Sequence, residues 1–200
     1  MTFSKKSRAV TGLLVAMTFL LSGSQSIGKV QSTDTDPVIL KEPQPEPKWV
    51  GIGFTSVETQ VLNFLQDRGI TDKAALATIL GNIKQESKFH TEICEGGSKT
   101  GYERCYSGGF GLIQWTTASR YKGLGAFAKT NGLCPNSLEA QLGWMVSEIE
   151  WKQIEYVWKT PGKSIDGYMW AAKKWLGWGV HGNRTHYSHQ YYNSLTLDNK

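Results

Sequence analysis

Between Ala74 and Ser87 the chain reads AALATILGNIKQES, and Leu76, Ile79, Leu80 and Ile83 recur at the spacing of one helical face. That pattern commits the segment to an amphipathic helix with an apolar stripe against a core. Carried one turn further, the stripe ends in Glu86 and Ser87. A carboxyl at the end of a buried stripe is partly desolvated, which disfavours its charged form and raises its pKa. The C-terminal end of the helix dipole disfavours an anion too. Both effects hold the proton on, the state a general acid needs. The plain alternative is a Glu that turns outward into water.

The helical period recurs along the chain. TSVETQVLNFLQDRG opens with a capping box, Thr55 with Glu58, aligns Val57, Val61, Leu62 and Leu65, and stops at Gly69. The second helix starts near Thr71-Asp72 and runs to about Ser87. A third is predicted over SLEAQLGWMVSEIEWKQIEYVW, with Leu138, Leu142, Met145 and Ile149 in register, ending before Pro161-Gly162. SIDGYMWAAKKWLGW and NRTHYSHQYYNSL predict two more. Residues 94–114 are rich in Gly and lack apolar periodicity. The expected fold class is mainly α, a helical domain with a Gly-rich loop or small hairpin inserted after its second helix.

Residues 1–26 carry Lys5, Lys6 and Arg8, an apolar stretch from Ala9 to Leu21, then Ser24-Gln25-Ser26. That order is a signal peptide or, if uncleaved, a signal-anchor, so the remainder is expected to be exported, touching a membrane through this segment only. Residues 27–48 hold four of the six prolines and read as an extended linker. The domain is expected over residues 49–200, acting as a monomer. Three of the 22 basic residues lie in the first 26, which contain no acid, leaving 19 against 17. No basic stripe remains, which argues against nucleic acid as a partner.

Of the three cysteines, Cys94 and Cys105 are the disulfide candidate, with buried thiols as the alternative. Their spacings do not match a zinc site. His186 and His189 lie one helical turn apart without a convincing third ligand. No metal and no cofactor are expected. A peptidase using Cys94 or Cys105 lacks the helix signal that lowers a thiol's pKa.

Downstream of Glu86 the chain reads SGGFGLIQW, residues 107–115. Gly108, Gly109 and Gly111 permit tight bends and close approach to a ligand. Gln114 and Trp115 then offer an amide for sugar hydroxyls and a ring for the apolar face of a pyranose. Glu86-Ser87 followed by Gly109-Phe110-Gly111-Leu112-Ile113-Gln114 resembles the Glu-Ser and Gly-x-Gly-Leu-x-Gln pair of the lysozyme superfamily. The branch it looks most like is the phage tail lysozyme domain, related to lytic transglycosylases and goose-type lysozymes. GNIKQES, GLCPNSLEAQLGWMVSEIE and RTHYSHQYYNSL resemble helices of that branch, so the likeness covers about residues 55–195.

The resemblance implies a lysozyme-like fold and a bacterial peptidoglycan substrate, cut at the β-1,4 bond between N-acetylmuramic acid and N-acetylglucosamine. Glu86 would protonate the glycosidic oxygen, Ser87 would brace the helix end or contact sugar, and Gly111, Gln114 and Trp115 would bind substrate. It also makes association with a virion an alternative to export. Glu95, nine residues after Glu86 with Thr100 behind it, resembles the Glu, Asp, Thr spacing of some phage lysozymes. Here the second acid is Glu and the Thr is displaced by one. Without a second carboxylate, the substrate's N-acetyl group or 6-hydroxyl must do that work, giving a lytic transglycosylase with anhydro ends. A wall-binding or tail module with a dead site is the non-enzymatic alternative. Most of Trp144, Trp151, Trp158, Trp170, Trp175 and Trp178 are spaced for helices and expected in the core.

Overall fold

The computed structural model describes residues 48–106 and 108–198. The signal segment and all of the proline linker except Lys48 lie outside the described residues. Among the described residues eight α-helices are present: α1 (Ser56–Asp67), α2 (Lys73–Ser87), α3 (Ala118–Thr130), α4 (Leu138–Ser147), α5 (Ile149–Lys152), α6 (Glu155–Lys159), α7 (Ile165–Leu176) and α8 (Arg184–Ser194). Two short strands, β1 (Trp49–Gly51) and β2 (Leu195–Leu197), pair antiparallel with Val50 opposite Thr196. The domain is mainly helical.

Local chemistry starts the first two helices where the sequence places them. The Thr55 hydroxyl accepts from the Glu58 N–H, and Glu58 Oε2 accepts from the Thr55 N–H at 2.8 Å. Asp72 Oδ1 accepts from the amides of Ala74 and Ala75 at 2.9 and 3.0 Å. Unlike an amphipathic surface helix, α2 is buried at every position from Ala74 to Ile83. Small residues close the faces beside the apolar stripe, and the Thr78 hydroxyl and Asn82 Nδ2 donate to backbone carbonyls one turn back. Gly81 is one of these small residues. A Cβ there would lie 2.7 Å from Ser188 Cα, so its absence lets α8 pack directly on α2.

The predicted third helix is three helices. At Glu148 the backbone turns extended, with φ −66° and ψ 148°, separating α4 from α5. Leu142 and Met145 are buried as expected, but Ile149 falls beyond the break and is exposed. Helix α3 is absent from the periodicity because Gly123 and Gly125 thin out its pattern. Those glycines sit against Trp144 and Tyr102, where side chains would collide. Trp151, Trp158 and Trp175 are fully buried and stack or meet edge-on with centroids 5.1–6.4 Å apart. Trp170 is different, standing out into solvent.

Candidate active site

Immediately after Ser87 the chain reverses through two residues with left-handed backbone, Lys88 (φ 51°) and Phe89 (φ 65°). Such a pair is costly for non-glycine residues. Phe89 is buried against Tyr191, which holds the turn in place. The chain then enters the Gly-rich segment, tied by bridges between Ile93 and Lys99, Cys94 and Phe110, and Phe110 and Trp115. Cys94 and Cys105 are joined by a disulfide, and Cys134 is free and exposed. The Ser87 hydroxyl donates to the Leu112 carbonyl at 2.8 Å, which fastens the end of α2 to this loop.

Glu86 therefore sits at the seam between helix and loop, with its side chain 15% exposed. Burial pushes its carboxyl above the ordinary value, while the guanidinium of Arg184 and, with less effect, that of Arg120 pull the other way. Arg184, in the first turn of α8, donates from Nη2 to Glu86 Oε1. Burial pushes the Arg184 pKa down, and Glu86 offsets part of that. Its guanidinium also stands 4.6 Å from the centre of the Trp178 ring, and its Nε is buried without a hydrogen-bond partner.

Arg120 is held by Glu148 through a bidentate pair, Nε to Oε1 at 2.7 Å and Nη2 to Oε2 at 2.8 Å. The Glu148 side chain is 1% exposed. Its Oε2 also accepts from Trp115 Nε1 at 2.9 Å. A chain of contacts thus runs from the loop through Trp115 and Glu148 to Arg120, whose charge acts on Glu86.

The residues expected to touch substrate divide. Trp115 is fully buried and presents no face to a sugar; the apolar surroundings and the bond to Glu148 take the ring inward. Ser87 is buried as well, so it braces the helix and does not reach sugar. Gly111 is buried with φ 72°, and a Cβ there would meet the Gln141 amide, which accepts from the Leu112 N–H and donates to Thr91 and Pro135 carbonyls. Its role is to let the loop close over Gln141. Gln114 is half-buried in left-handed backbone (φ 54°), with Nε2 donating to Gly111 O at 3.0 Å and to Ile93 O at 3.3 Å. Glu95 is exposed, and its Oε2 accepts from the Gly109 N–H at 3.1 Å. The structure brings two arginines to Glu86 and ties Glu95 to the loop backbone.

Sequence reading missed Arg120, Glu148 and the role of Arg184. For Arg184 a faint signal exists, since a cation opening a helix is at the unfavourable end of the dipole. Among the described residues no group of three or more His, Cys, Asp or Glu side chains could hold a metal ion. A cavity of about 460 Å³ lies across the loop, lined by Tyr102, Tyr106, Gly108, Thr116 and Tyr121 among others, and does not include Glu86.

Comparison with known proteins adds two findings. Residues 56–195 match the family model described as phage tail lysozyme. Over 90 residues, 45% of this chain, the sequence is 36% identical to Morphogenesis protein 1 of Bacillus phage B103, and the aligned stretch spans 22% of that protein.

Proposed function

The chain belongs to the phage tail lysozyme family, and we propose that it cleaves the β-1,4 bond between N-acetylmuramic acid and N-acetylglucosamine in peptidoglycan, with Glu86 as general acid. The observation that carries this reading is a carboxyl in the seam between helix and loop, 15% exposed, whose burial favours the protonated form. Glu86 donates its proton to the glycosidic oxygen as the bond to the leaving sugar breaks. The carboxylate left behind lies against Arg184 and under the charge of Arg120, so the cations that oppose the effect of burial stabilise the conjugate base.

A second reading has its own support. Glycosidases commonly place a second carboxylate across the scissile bond. Here the charged partners of Glu86 are cations, and Glu95 is engaged by the Gly109 amide. That favours the substrate's own N-acetyl group or 6-hydroxyl as the second participant, the lytic transglycosylase outcome. Association with a virion fits the family and the name of the phage relative. Among the described residues no helix is long and apolar enough to cross a membrane.

Mass spectrometry of fragments released from purified peptidoglycan tests both readings. Reducing ends are the lysozyme product and anhydro-muramic ends the transglycosylase product. Free peptides, or no release by the folded chain, would overturn the glycosidase reading.

A further inference from the structure

Helix α7 buries Tyr168, Met169, Ala171, Ala172 and Trp175, and turns a second face outward. That outer face carries Trp170, Lys173 and Lys174 at the i, i+3, i+4 spacing of a single helical side, and Gly177 follows just past the helix end. Together with Trp178 they line an open groove of about 540 Å³. Trp170 is 54% exposed although it has the largest apolar surface of any side chain. The Lys174 ammonium stands 6.0 Å from the centre of its ring. The lining holds two cations and no acid.

One residue of the groove touches the site already described. Trp178, at its end, lies under the Arg184 guanidinium, and Arg184 is the partner of Glu86. The groove and Glu86 are thus two contacts apart, through Trp178 and Arg184. Two indole faces suit the apolar faces of pyranose rings, and two ammonium groups beside them suit carboxylates. Peptidoglycan carries both along one strand, in its sugars and its stem peptides.

We propose that the Trp170–Lys173–Lys174–Trp178 face is a glycan-strand binding site, seating sugars on the two tryptophans and stem-peptide carboxylates on the two lysines. The proposal rests on the reading of peptidoglycan as the substrate, but it is tested by retention and not by cleavage. The full chain carrying Glu86→Gln, so that the strand stays intact, is co-sedimented with purified sacculi stripped of phosphodiester-linked wall polymers by hydrofluoric acid. Trp170→Ala, and separately Lys173→Gln with Lys174→Gln, are added to that background. These positions are exposed, and an unchanged thermal midpoint confirms that each variant is folded. Each is expected to weaken retention about tenfold, the effect of losing one anchor of a binding patch. Equal retention of parent and variants overturns the proposal. So does retention by the parent that disappears when the phosphodiester polymers are stripped, which assigns the groove to those polymers. Failure of the activity reading shows separately, as wild-type chain that releases no fragments.

Discussion

Glu86, in the last turn of α2, and Arg184, in the first turn of α8, each occupy the helix end that disfavours its charge, and they pair with one another. Neither position is explained by local helix stability. The pair forms because α8 crosses α2 at Gly81 and because Asn183 N–H donates to Gln85 Oε1 at 2.8 Å, setting the start of α8 beside the end of α2. The cost in helix propensity is spent on a carboxyl that is buried, partnered and still at the edge of the fold.

Arg184 tunes the proton affinity of Glu86. Its charge pulls the carboxyl pKa down against burial, so Arg184→Gln should raise that pKa further. The alkaline limb of the pH–activity profile then moves to higher pH, while the loss of a buried hydrogen-bonding cation costs about 1–3 kcal/mol of stability. Turbidity loss of a peptidoglycan suspension across pH measures the limb. A limb that stays in place would remove Arg184 from this role.

The same shift predicts a pH-dependent stability difference between wild type and Glu86→Gln. The folded-state pKa of Glu86 lies above the ordinary 4.5 of the unfolded chain. Its contribution to stability is therefore full below the unfolded value and is lost as pH rises through the raised folded value. The Gln variant, which cannot ionise, should gain on wild type across that window, and the difference should level off above the raised folded value. Urea unfolding at a series of pH values reads this directly, and a difference of opposite slope would contradict the burial argument.

Glu148 organises the second cation. Glu148→Ala leaves the Arg120 guanidinium and the Trp115 indole N–H without their buried acceptor, an expected loss of about 3–5 kcal/mol. Glu148→Gln keeps an acceptor and should lose less. Chemical denaturation of both variants checks the ordering.

What the sequence made legible follows from how local each cause is. The Thr55–Glu58 box, the Asp72 cap and the stripe of α2 are set by neighbours within a turn or two, and each is found where the pattern puts it. The break at Glu148 and the burial of Trp115 are set by partners 28 and 33 residues away, so periodicity runs through the first and composition misassigns the second. Helix α3 escaped because Gly123 and Gly125 serve the packing of Trp144 and Tyr102 and erase the apolar pattern. Glu86 was legible as a carboxyl ending a core stripe; Arg184, brought to it from 98 residues away, was not.

The Cys94–Cys105 bridge closes a separation of 11 residues within the loop that Ser87 holds. Reduction should cost about 2–3 kcal/mol through the entropy returned to the unfolded chain. Activity should fall with it as the loop that carries Gln114 loosens. Thermal unfolding with and without reductant, compared with Cys94→Ala plus Cys105→Ala, measures the effect.

The central claim is that one proton, on the side chain at position 86, breaks the glycan. Release of soluble fragments from purified peptidoglycan by Glu86→Gln, beside wild type of equal secondary structure and thermal midpoint, tests it most directly. The account predicts a loss of at least about 100-fold, the lower end of what a positioned general acid contributes. Release within a few-fold of wild type would contradict it.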